Sequence, residues 1–332
     1  MPRRKQPTAL VRAIDTGDIC AGLLAGLRAC GIAAERAESP EHIRKTRPDI
    51  VITWNGCKGR YQAYTRAAQA VAAQLLYVEH GWFQRADYCQ LDHLGFNHRA
   101  AWGRRLPAPA PAAAHQRLRQ ILGYEPAPVR ARTSGYLLVL GQVKGDAQLA
   151  DSAITSPLVF QQTIARCAPS ELPLLYRPHP QMEAYPRLMA MDLPNMPVQL
   201  SGDAATYAGT KAGASLPELF AGARAVCAIN SNGLHDALLA GLPVAALGPM
   251  LALSADAALP ISATEPQVAL RALAAGWAPD PQAVADYLAW LAGRQWNADE
   301  LATGHPLATA LAAAGWQVPT WPTRPRLMKA AS

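Results

Sequence analysis

The sequence predicts an α/β protein made of two Rossmann-like domains that face each other across a cleft. Short apolar runs alternate with stretches of helical periodicity in two series, separated by a segment rich in proline and alanine. Such alternation is typical of parallel sheets covered by helices, whose ligands bind at the carboxyl ends of the strands. The length of 332 residues is sufficient for two domains with separate cores.

The first series fills residues 1–105, which we assign to an N-terminal acceptor domain. Strands are predicted at residues 8–14, 32–38, 49–56 and 74–79, with helices at 15–30, 40–47 and 61–73. Trp54 and Asn55 lie where the third strand ends, and Glu79 and His80 lie where the fourth ends. Asp92 and Asn97 follow in a predicted loop.

The amino-acid composition changes at residues 106–135, which contain repeated Pro-Ala pairs and one predicted short helix. We predict an interdomain linker there. A second domain is predicted at 136–300, and a C-terminal helix and tail at 301–332 are expected to pack back on the first domain. Strands are expected at 136–140, 173–180, 197–200, 225–229 and 243–248, and helices at 157–167, 216–223, 267–276, 282–294 and 307–315.

Composition excludes several protein classes. Hydrophobic residues make up 50% and charged residues 17% of the chain, as in globular rather than disordered proteins. No apolar run is long enough to span a bilayer, and Met1 leads into no signal-peptide core, so we expect a cytoplasmic protein. The six cysteines show neither CxxC pairs nor metal-like spacing, which predicts reduced thiols and no metal site.

Positive charge is concentrated in the first part of the chain. Up to Gly135 there are 20 Lys and Arg against 10 Asp and Glu, whereas from Tyr136 onward there are 11 against 14. This asymmetry favours a polyanionic partner for the first domain, such as nucleic acid, an acidic polymer or a phospholipid surface.

In the first domain, Glu79 and His80 place a carboxylate and an imidazole at the end of a strand. Glu79 could be a general base that takes a proton from an acceptor hydroxyl. It could equally cap a helix or pair with Arg85. Both interpretations remain open from the residues alone.

In the second domain, Gln142 and Asp146 follow one strand and Arg177 and His179 follow the next. Asp146 could be a nucleophile, or simply a turn residue before a helix. Two prolines stiffen the backbone around Arg177 and His179, and a guanidinium beside an imidazole suits a phosphate or carboxylate. The alternative is a structural His179 bonded to the backbone.

The stretch from Ala225 to Gly248 predicts a strand, a polar turn, a short helix and a further strand. Ser231, Asn232 and Gly233 form the turn, where side chains and backbone N–H groups could bind an anion. Asp236 lies in the first turn of the helix, where it could accept hydrogen bonds from a ribose or merely stabilise the helix. The alternative to an anion-binding turn is an ordinary βαβ unit with a capped helix and no ligand.

These residues resemble the bacterial capsular-polysaccharide β-Kdo transferases and their capsule-synthesis relatives. Gln142 to Asp146 matches a QxxxD motif and His179-Pro180 an HP motif, and the turn from Ser231 to Val244 agrees. The first domain resembles that group in Trp54-Asn55-Gly56, Glu79-His80-Gly81 and residues 91–97. By contrast, GxGxxG, Walker, HExxH and GxSxG motifs do not occur, which removes the usual support for dehydrogenases, P-loop ATPases, zincins and α/β-hydrolases.

The resemblance implies a retaining GT-B glycosyltransferase with a nucleotide-sugar donor, CMP-Kdo in the first instance, and no further cofactor or metal. Asp146 would be the nucleophile. His179 would also be a catalytic residue, holding the donor phosphate or the sugar carboxylate. The donor would be bound by Gln142, Arg177, Ser231, Asn232, Gly233 and Asp236. Glu79 would be the acid/base on the acceptor side, together with Trp54, Asn55, His80, Asp92 and Asn97.

The chain departs from the family at two positions, with Asp236 where the family usually shows glutamate and Leu234 where it shows glycine. Because the side chain of Asp236 is one methylene shorter than that of glutamate, its reach differs, and the donor could be CMP-Kdo or a UDP-sugar. An anionic glycan or glycolipid acceptor would suit the basic first domain, but so would DNA, as for phage enzymes that glycosylate hydroxymethylated bases. A non-catalytic nucleotide- or polyanion-binding protein is the alternative outside the enzymes.

Overall fold

A computed structural model describes residues 6–14, 18–57, 59–104, 106, 109–201, 210–211 and 213–322. The chain divides into two compact units. Unit 1 comprises Met1–Arg105 and Leu291–Ser332, and unit 2 comprises Leu106–Trp290. The segment 106–135, predicted to be a linker, therefore counts with unit 2, and the chain returns to unit 1 at Leu291, ten residues before the predicted C-terminal boundary.

Unit 1 contains a six-stranded sheet in the order β13-β5-β4-β3-β1-β2. Its strands are β1 (Thr8–Arg12), β2 (Ala33–Arg36), β3 (Ile50–Trp54), β4 (Gln74–His80), β5 (Cys89–Asp92) and β13 (Gln295–Trp296). Its helices are α1 (Ile19–Ala29), α2 (Pro40–Thr46), α3 (Gly59–Ala70), α12 (Ala298–Ala302) and α13 (His305–Ala313). The strands β1 to β4 pair in parallel, as predicted, whereas β5 and β13 are antiparallel.

The antiparallel edge corrects one prediction, because Asp92 ends a buried strand and does not lie in a loop. The β5 strand pairs with β4 so that Tyr77 lies opposite Asp92 and Glu79 opposite Gln90. All four residues of β5 are buried. Asn97, by contrast, does follow the strand, at the start of a short 3-10 helix.

The C-terminal segment completes the core of unit 1. Leu301, Leu307 and Leu311 are fully buried among residues of β1, α1, β3 and β4. Helix α1 comes so close that a Cβ atom on Gly26 would collide with the carbonyl oxygen of Leu301. Glycine is therefore required for this contact between α1 and α12.

Unit 2 contains a seven-stranded parallel sheet in the order β12-β11-β10-β6-β7-β8-β9. Its strands are β6 (Tyr136–Leu140), β7 (Leu174–Arg177), β8 (Val198–Gln199), β9 (Thr210–Lys211), β10 (Ala223–Ala228), β11 (Val244–Ala246) and β12 (Leu259–Pro260). Its helices are α4 (Ala112–Leu122), α5 (Pro157–Cys167), α6 (Pro186–Met189), α7 (Leu216–Gly222), α8 (Gly233–Leu239), α9 (Leu251–Ser254), α10 (Pro266–Ala274) and α11 (Pro281–Ala292).

A serine followed by proline one or two residues later begins helices α2, α5 and α7. Ser39 precedes Pro40 and accepts the N–H of His42, and Ser156 precedes Pro157 and accepts that of Val159. Ser215 forms a reciprocal capping box with Glu218. Because proline has no N–H to leave unsatisfied in the first turn, these sequences begin helices at defined positions.

The strand order of unit 2 creates a switch point beside β6. From β6 the chain proceeds through β7, β8 and β9 to one side, and then returns to place β10, β11 and β12 on the other. Loops that leave β6 and β10 therefore diverge, and sheets of this kind bind ligands in the crevice between such loops. A ligand site is therefore expected at the carboxyl ends of β6, β7 and β10.

Candidate functional site

Three adjacent strands of unit 2 carry the residues that the sequence singles out. Gln142 and Asp146 follow β6, Arg177 ends β7 and His179 follows it, and Ser231 follows β10. Because β10, β6 and β7 are neighbours and parallel, their loops leave the same edge of the sheet. A backbone hydrogen bond of 2.8 Å from Gly141 N to Arg177 O ties the first two loops together.

Gln142 links the loop after β6 to the loop after β10. Its Nε2 donates to Asn230 Oδ1 at 2.9 Å, and its Oε1 accepts the backbone N–H of Asn230 at 3.0 Å. The Asn230 amide also donates to Gln148 O at 2.7 Å. Both side chains are buried, with 6% and 5% of their surface exposed. Gln142, predicted to bind the donor, thus clamps the two loops at the switch point.

Asp146 is half-buried and begins the short 3-10 helix Ala147–Asp151. Its Oδ1 accepts the N–H of Gln148 at 3.0 Å. The structure therefore shows Asp146 as a turn residue that caps a helix, which was the alternative to a role as nucleophile. The same bond fixes one carboxylate oxygen and so defines the direction of the other.

Arg177 and His179 differ in how they are held. The Arg177 side chain is buried and donates from Nη1 to Ala214 O at 2.7 Å, while its Nε has no hydrogen-bond partner among the described residues. Burial lowers the pKa of the guanidinium, and the negative charge of Glu183 opposes that shift. The Nδ1 of His179 accepts the N–H of Gln181 at 3.2 Å, which assigns the ring proton of a neutral imidazole to Nε2.

Ser231, Asn232 and Gly233 form the turn between β10 and α8. Ser231 Oγ accepts the N–H of Gly233 at 3.3 Å. Asn232 Oδ1 lies 3.1 Å from Nδ1 of His235, a buried residue to which no role was assigned from the sequence. The turn therefore contains one side chain anchored from the interior of unit 2. A Cβ atom on Gly233 would lie 2.8 Å from Leu140 Cδ1, so a larger residue there would require the Leu140 side chain to shift.

Asp236 is exposed on α8 and lines a groove of about 650 Å³ between α7 and α8. The groove walls are mostly apolar, with Pro217 and Phe220 from α7, and Tyr124 lies beside it. Partial burial and the negative charge of Asp236 both raise the pKa of the Tyr124 hydroxyl. The predicted ribose-binding acid thus opens onto a space that could hold a nucleoside-sized group.

In unit 1, Asn55 and Glu79 are brought together by the pairing of β3 with β4. The Asn55 amide donates to Glu79 Oε2 at 2.9 Å, and Glu79 Oε1 accepts the backbone N–H of His80 at 2.9 Å. Burial raises the pKa of the Glu79 carboxyl, although these hydrogen bonds and the charge of His80 oppose the shift. Asn55 adopts a left-handed backbone conformation with φ of 54°, and its N–H donates to Val78 O.

His80 is oriented by its surroundings. Nδ1 lies 2.8 Å from Arg85 O, and because a carbonyl can only accept, Nδ1 carries a proton and donates it there. The ring stands edge-on to Trp54, with centroids 4.8 Å apart. Trp54, Asn55, Glu79 and His80 therefore form one cluster at the ends of β3 and β4.

Asp92 and Asn97 serve the backbone in this structure. Asp92 Oδ1 accepts the N–H groups of Leu94 at 2.7 Å and Ala101 at 3.0 Å. Asn97 Oδ1 accepts from Trp82 Nε1 at 3.0 Å and from Gln90 Nε2 at 2.9 Å. Both residues shape the segment after β5.

Gln295, which the sequence analysis did not single out, holds the turn after His80. It is fully buried, its Oε1 accepts the N–H groups of Trp82 at 2.8 Å and Phe83 at 3.1 Å, and its Nε2 donates to Phe83 O at 3.1 Å. Because Gln295 lies more than 200 residues further along the chain, no local pattern could reveal this contact. The only sequence signal is a glutamine beside Trp296 after a helix.

Solved structures of two β-Kdo transferases share this fold. The chain aligns with the β-Kdo 2,7-transferase of Thermosulfurimonas dismutans KpsC over 79% of its own length and 89% of that chain, with a TM-score of 0.54 and 15% identity. It aligns with the β-Kdo 2,4-transferase of the same KpsC over 82% and 90%, with a TM-score of 0.52 and 14% identity. The chain has the two-domain GT-B fold. The fold implied by the resemblance is thereby confirmed.

No protein-family model matches the sequence, and no curated protein matches it either. Among the described residues, no helix is both long and apolar enough to cross a membrane. In the same part of the chain, no group of three His, Cys, Asp or Glu residues is placed to hold a metal ion.

Proposed function

We propose that this chain is a retaining glycosyltransferase that transfers a sugar from a nucleotide-sugar donor, CMP-Kdo in the first instance, to a hydroxyl of an anionic glycan or glycolipid. One observation carries the proposal. Asp146, His179 and Ser231 follow three adjacent parallel strands at the switch point of unit 2, within a fold shared with β-Kdo transferases. Such a switch point is the usual ligand site of an α/β sheet.

The chemistry of these loops suits an acidic sugar linked to a phosphate. Arg177 remains protonated despite its lowered pKa and has an Nε–H without a partner in the described part of the chain. A neutral His179 imidazole carries its proton on Nε2, since Nδ1 accepts a backbone N–H. Cationic and neutral donors together recognise both the phosphate and the carboxylate of CMP-Kdo. Asp236, beside the groove between α7 and α8, is the proposed ribose ligand.

Two displacements give retention. In the first, the carboxylate of Asp146 attacks the anomeric carbon, and the bond to the phosphate oxygen breaks to release CMP. In the second, the acceptor hydroxyl attacks the same carbon and displaces Asp146. The proposed acceptor of the hydroxyl proton is Glu79, whose carboxyl pKa is raised by burial. Each step inverts the carbon, so the two together retain its configuration.

The test of the nucleophile is Asp146→Asn. The amide keeps an oxygen that can accept the Gln148 N–H, so the local helix is preserved while the negative charge is lost. We expect transfer to fall by about a thousandfold or more, while CMP affinity changes little. Asp280→Asn is the matched control, because Asp280 Oδ1 accepts the N–H of Gln282 at the same 3.0 Å in the same unit. Equal activity in both variants would refute the assignment.

Donor and acceptor are identified separately. A thermal-shift comparison of CMP, UDP and GDP identifies the base, since a ligand at a hundred times its dissociation constant stabilises by about 2.7 kcal/mol. Transfer is then measured by mass spectrometry on a Kdo-terminated glycolipid and on hydroxymethylated DNA. Product on DNA alone would overturn the proposed acceptor class. Tight binding of a nucleotide without transfer from any donor would overturn the enzymatic assignment.

A further inference from the structure

A half-buried arginine lies at the carboxyl end of the sheet in unit 1. Arg12 is the last residue of β1, and its Cα pairs with that of Thr53 in the neighbouring parallel strand β3. Arg12 Nε and Thr53 Oγ1 are both buried, and neither has a hydrogen-bond partner among the described residues. No carboxylate in the same part of the chain forms an ion pair with Arg12. Its charge is therefore partly removed from water and has no counter-charge among these residues.

An aromatic ring holds the guanidinium in place. Arg12 Cζ lies 5.5 Å from the centroid of the Tyr64 ring on α3, as in a cation–π contact. Tyr64 is fixed in turn, because it is buried and its hydroxyl donates to Glu38 O at 3.1 Å. The ring face stabilises the cation, but it offers no oxygen to the N–H groups at the edge of the guanidinium. Because Nε is buried, the terminal NH2 groups are the part of Arg12 that a ligand could reach.

Arg12 shares a face of the sheet with Glu79, the proposed acid/base. Leu10 of β1 belongs to the same hydrophobic cluster as Tyr64, and Arg12, two residues later in the strand, lies on this face. Leu75 of β4 packs against that cluster, and Glu79 follows it by an even number of residues in the same strand. Only β3 separates β1 from β4. With neighbouring strands about 4.8 Å apart, the two strands are about 10 Å apart, a distance that a short glycan spans.

A packing role alone does not explain an arginine at this position. A methionine would cover the Tyr64 ring without placing a charge there, whereas a half-buried cation without an ion pair costs free energy. Arginine differs from other side chains in its planar edge, whose paired N–H groups match the oxygens of a carboxylate or phosphate. The surrounding charge favours such an anion, since the residues up to Gly135 include 20 Lys and Arg against 10 Asp and Glu.

We propose that the terminal NH2 groups of Arg12 bind an anionic group of the acceptor and so orient the acceptor hydroxyl toward Glu79. The group is the carboxylate of an acidic sugar or a phosphate ester, because a guanidinium binds the paired oxygens of either. The inference rests on the proposed function, to which it adds a specificity-determining residue for the acceptor. Arg12 positions the acceptor and takes no part in bond making.

The first test measures transfer to a Kdo-terminated glycolipid. Arg12→Leu should raise KM for this acceptor about ten- to a hundredfold, as for the loss of a hydrogen bond to a charged group, while CMP affinity and donor hydrolysis without acceptor stay unchanged. Arg12→Lys, a point charge without paired N–H groups, should recover only part of the loss. Methyl esterification of the acceptor carboxylate should raise KM for the wild type by a similar factor, and should cause no further rise in Arg12→Leu. If the recognised group is a phosphate, enzymatic dephosphorylation of the acceptor gives this pattern and esterification does not.

Arg28→Leu is the matched control, because it removes the same charge from unit 1 at the opposite edge of the sheet. Arg28 Nη2 donates to Ala34 O at 2.9 Å, near the start of β2. An equal rise of KM in Arg12→Leu and Arg28→Leu, or no rise in either, would overturn the proposal. If urea denaturation shows that Arg12→Leu does not fold, the wild type and Arg12→Lys decide the question. The modified acceptors should then raise KM by a smaller factor in Arg12→Lys than in the wild type, and equal factors would refute the contact.

The second test needs no transfer. The ¹⁵N signal of Arg12 Nε–H should move when the wild type is titrated with free Kdo or with inorganic phosphate, and should stay in place with sodium chloride at the same ionic strength. A signal that neither Kdo nor phosphate moves, or that chloride moves equally, would overturn the proposal. A response to Kdo or phosphate in a protein that transfers no sugar would support the anion site and contradict the proposed function instead.

Discussion

The clamp between Gln142 and Asn230 offers a direct test of how the donor loops are held. Replacing Gln142 by alanine removes both hydrogen bonds and leaves two groups of Asn230 unpaired, its Oδ1 and its backbone N–H. Both lie in a residue that is only 5% exposed. An unsatisfied buried donor or acceptor costs about 1–3 kcal/mol, so the variant should lose about 2–6 kcal/mol of unfolding free energy.

A second buried glutamine in unit 2 provides the control. Gln161 on α5 donates to Met191 O at 3.0 Å and accepts Met191 N at 2.7 Å, again two bonds to one residue. Gln161→Ala should therefore lose a comparable free energy of unfolding, measured by urea denaturation. It lies outside the three loops, so only Gln142→Ala should also weaken CMP binding, by about tenfold or more in calorimetry.

The two variants separate stability from site geometry. If both weaken CMP binding equally, or if neither does, the clamp has no special relation to the donor site and the reasoning fails. A double-mutant cycle of Gln142→Ala with Asn230→Ala should give a coupling energy of about 0.5–3 kcal/mol, since the residues are in direct contact. Additive effects would contradict the contact itself.

Two further predictions concern acidic groups. As a base, Glu79 must be ionised, so kcat/KM for transfer should fall as pH drops through the pKa of Glu79, which is raised above the ordinary 4.5. Glu79→Gln should lose about a hundredfold or more in rate, with unchanged CMP affinity. A fall in wild-type kcat/KM that occurs only at or below pH 4.5 would contradict this. For Asp286, burial alone would raise the pKa, but hydrogen bonds from Ala110 N and His115 lower it below 3.8. The ionised Asp286 therefore stabilises the fold above pH 3.8, and this stabilisation is lost as pH falls through the lowered pKa. His115→Ala should raise the pKa of Asp286 in an NMR titration and make the free energy of unfolding less sensitive to acid. An unchanged Asp286 titration in this variant would refute the pairing.

The alternating architecture could be predicted because its signals are local. The strand Tyr136–Leu140 and the helix Pro157–Cys167 have the predicted bounds, since an uninterrupted apolar run marks a buried strand and a serine-proline sequence begins the helix. The short strand β5 could not be predicted. Its four residues are buried because they pair with β4, and β13 then pairs with it from the far end of the chain.

For the candidate sites, the sequence indicated which loops matter but not how they are held. Strand ends after apolar runs identify Asn55, Glu79, Asp146 and His179, and their roles in catalysis and binding remain predictions. The residues that orient them are distant in sequence. Asn230 lies 88 residues from Gln142, and Tyr287 lies 52 residues from His235. Only the sheet order brings such partners together.

The residues that hold the loops in both units are predominantly neutral amides, and a physical reason can be given for this choice. Gln142 in unit 2 and Gln90 and Gln295 in unit 1 each accept a backbone N–H with the side-chain oxygen and donate from the nitrogen. Asn230 accepts from Gln142 Nε2 and donates to Gln148 O. A buried carboxylate would accept equally well but could not donate, so at position 142 it would set two oxygens against each other where Nε2 now lies 2.9 Å from Asn230 Oδ1. It would also bury a charge, which costs far more than a bonded amide. Neutral clamps thus leave Arg177, Asp146 and Glu79 to set the electrostatics of the candidate sites.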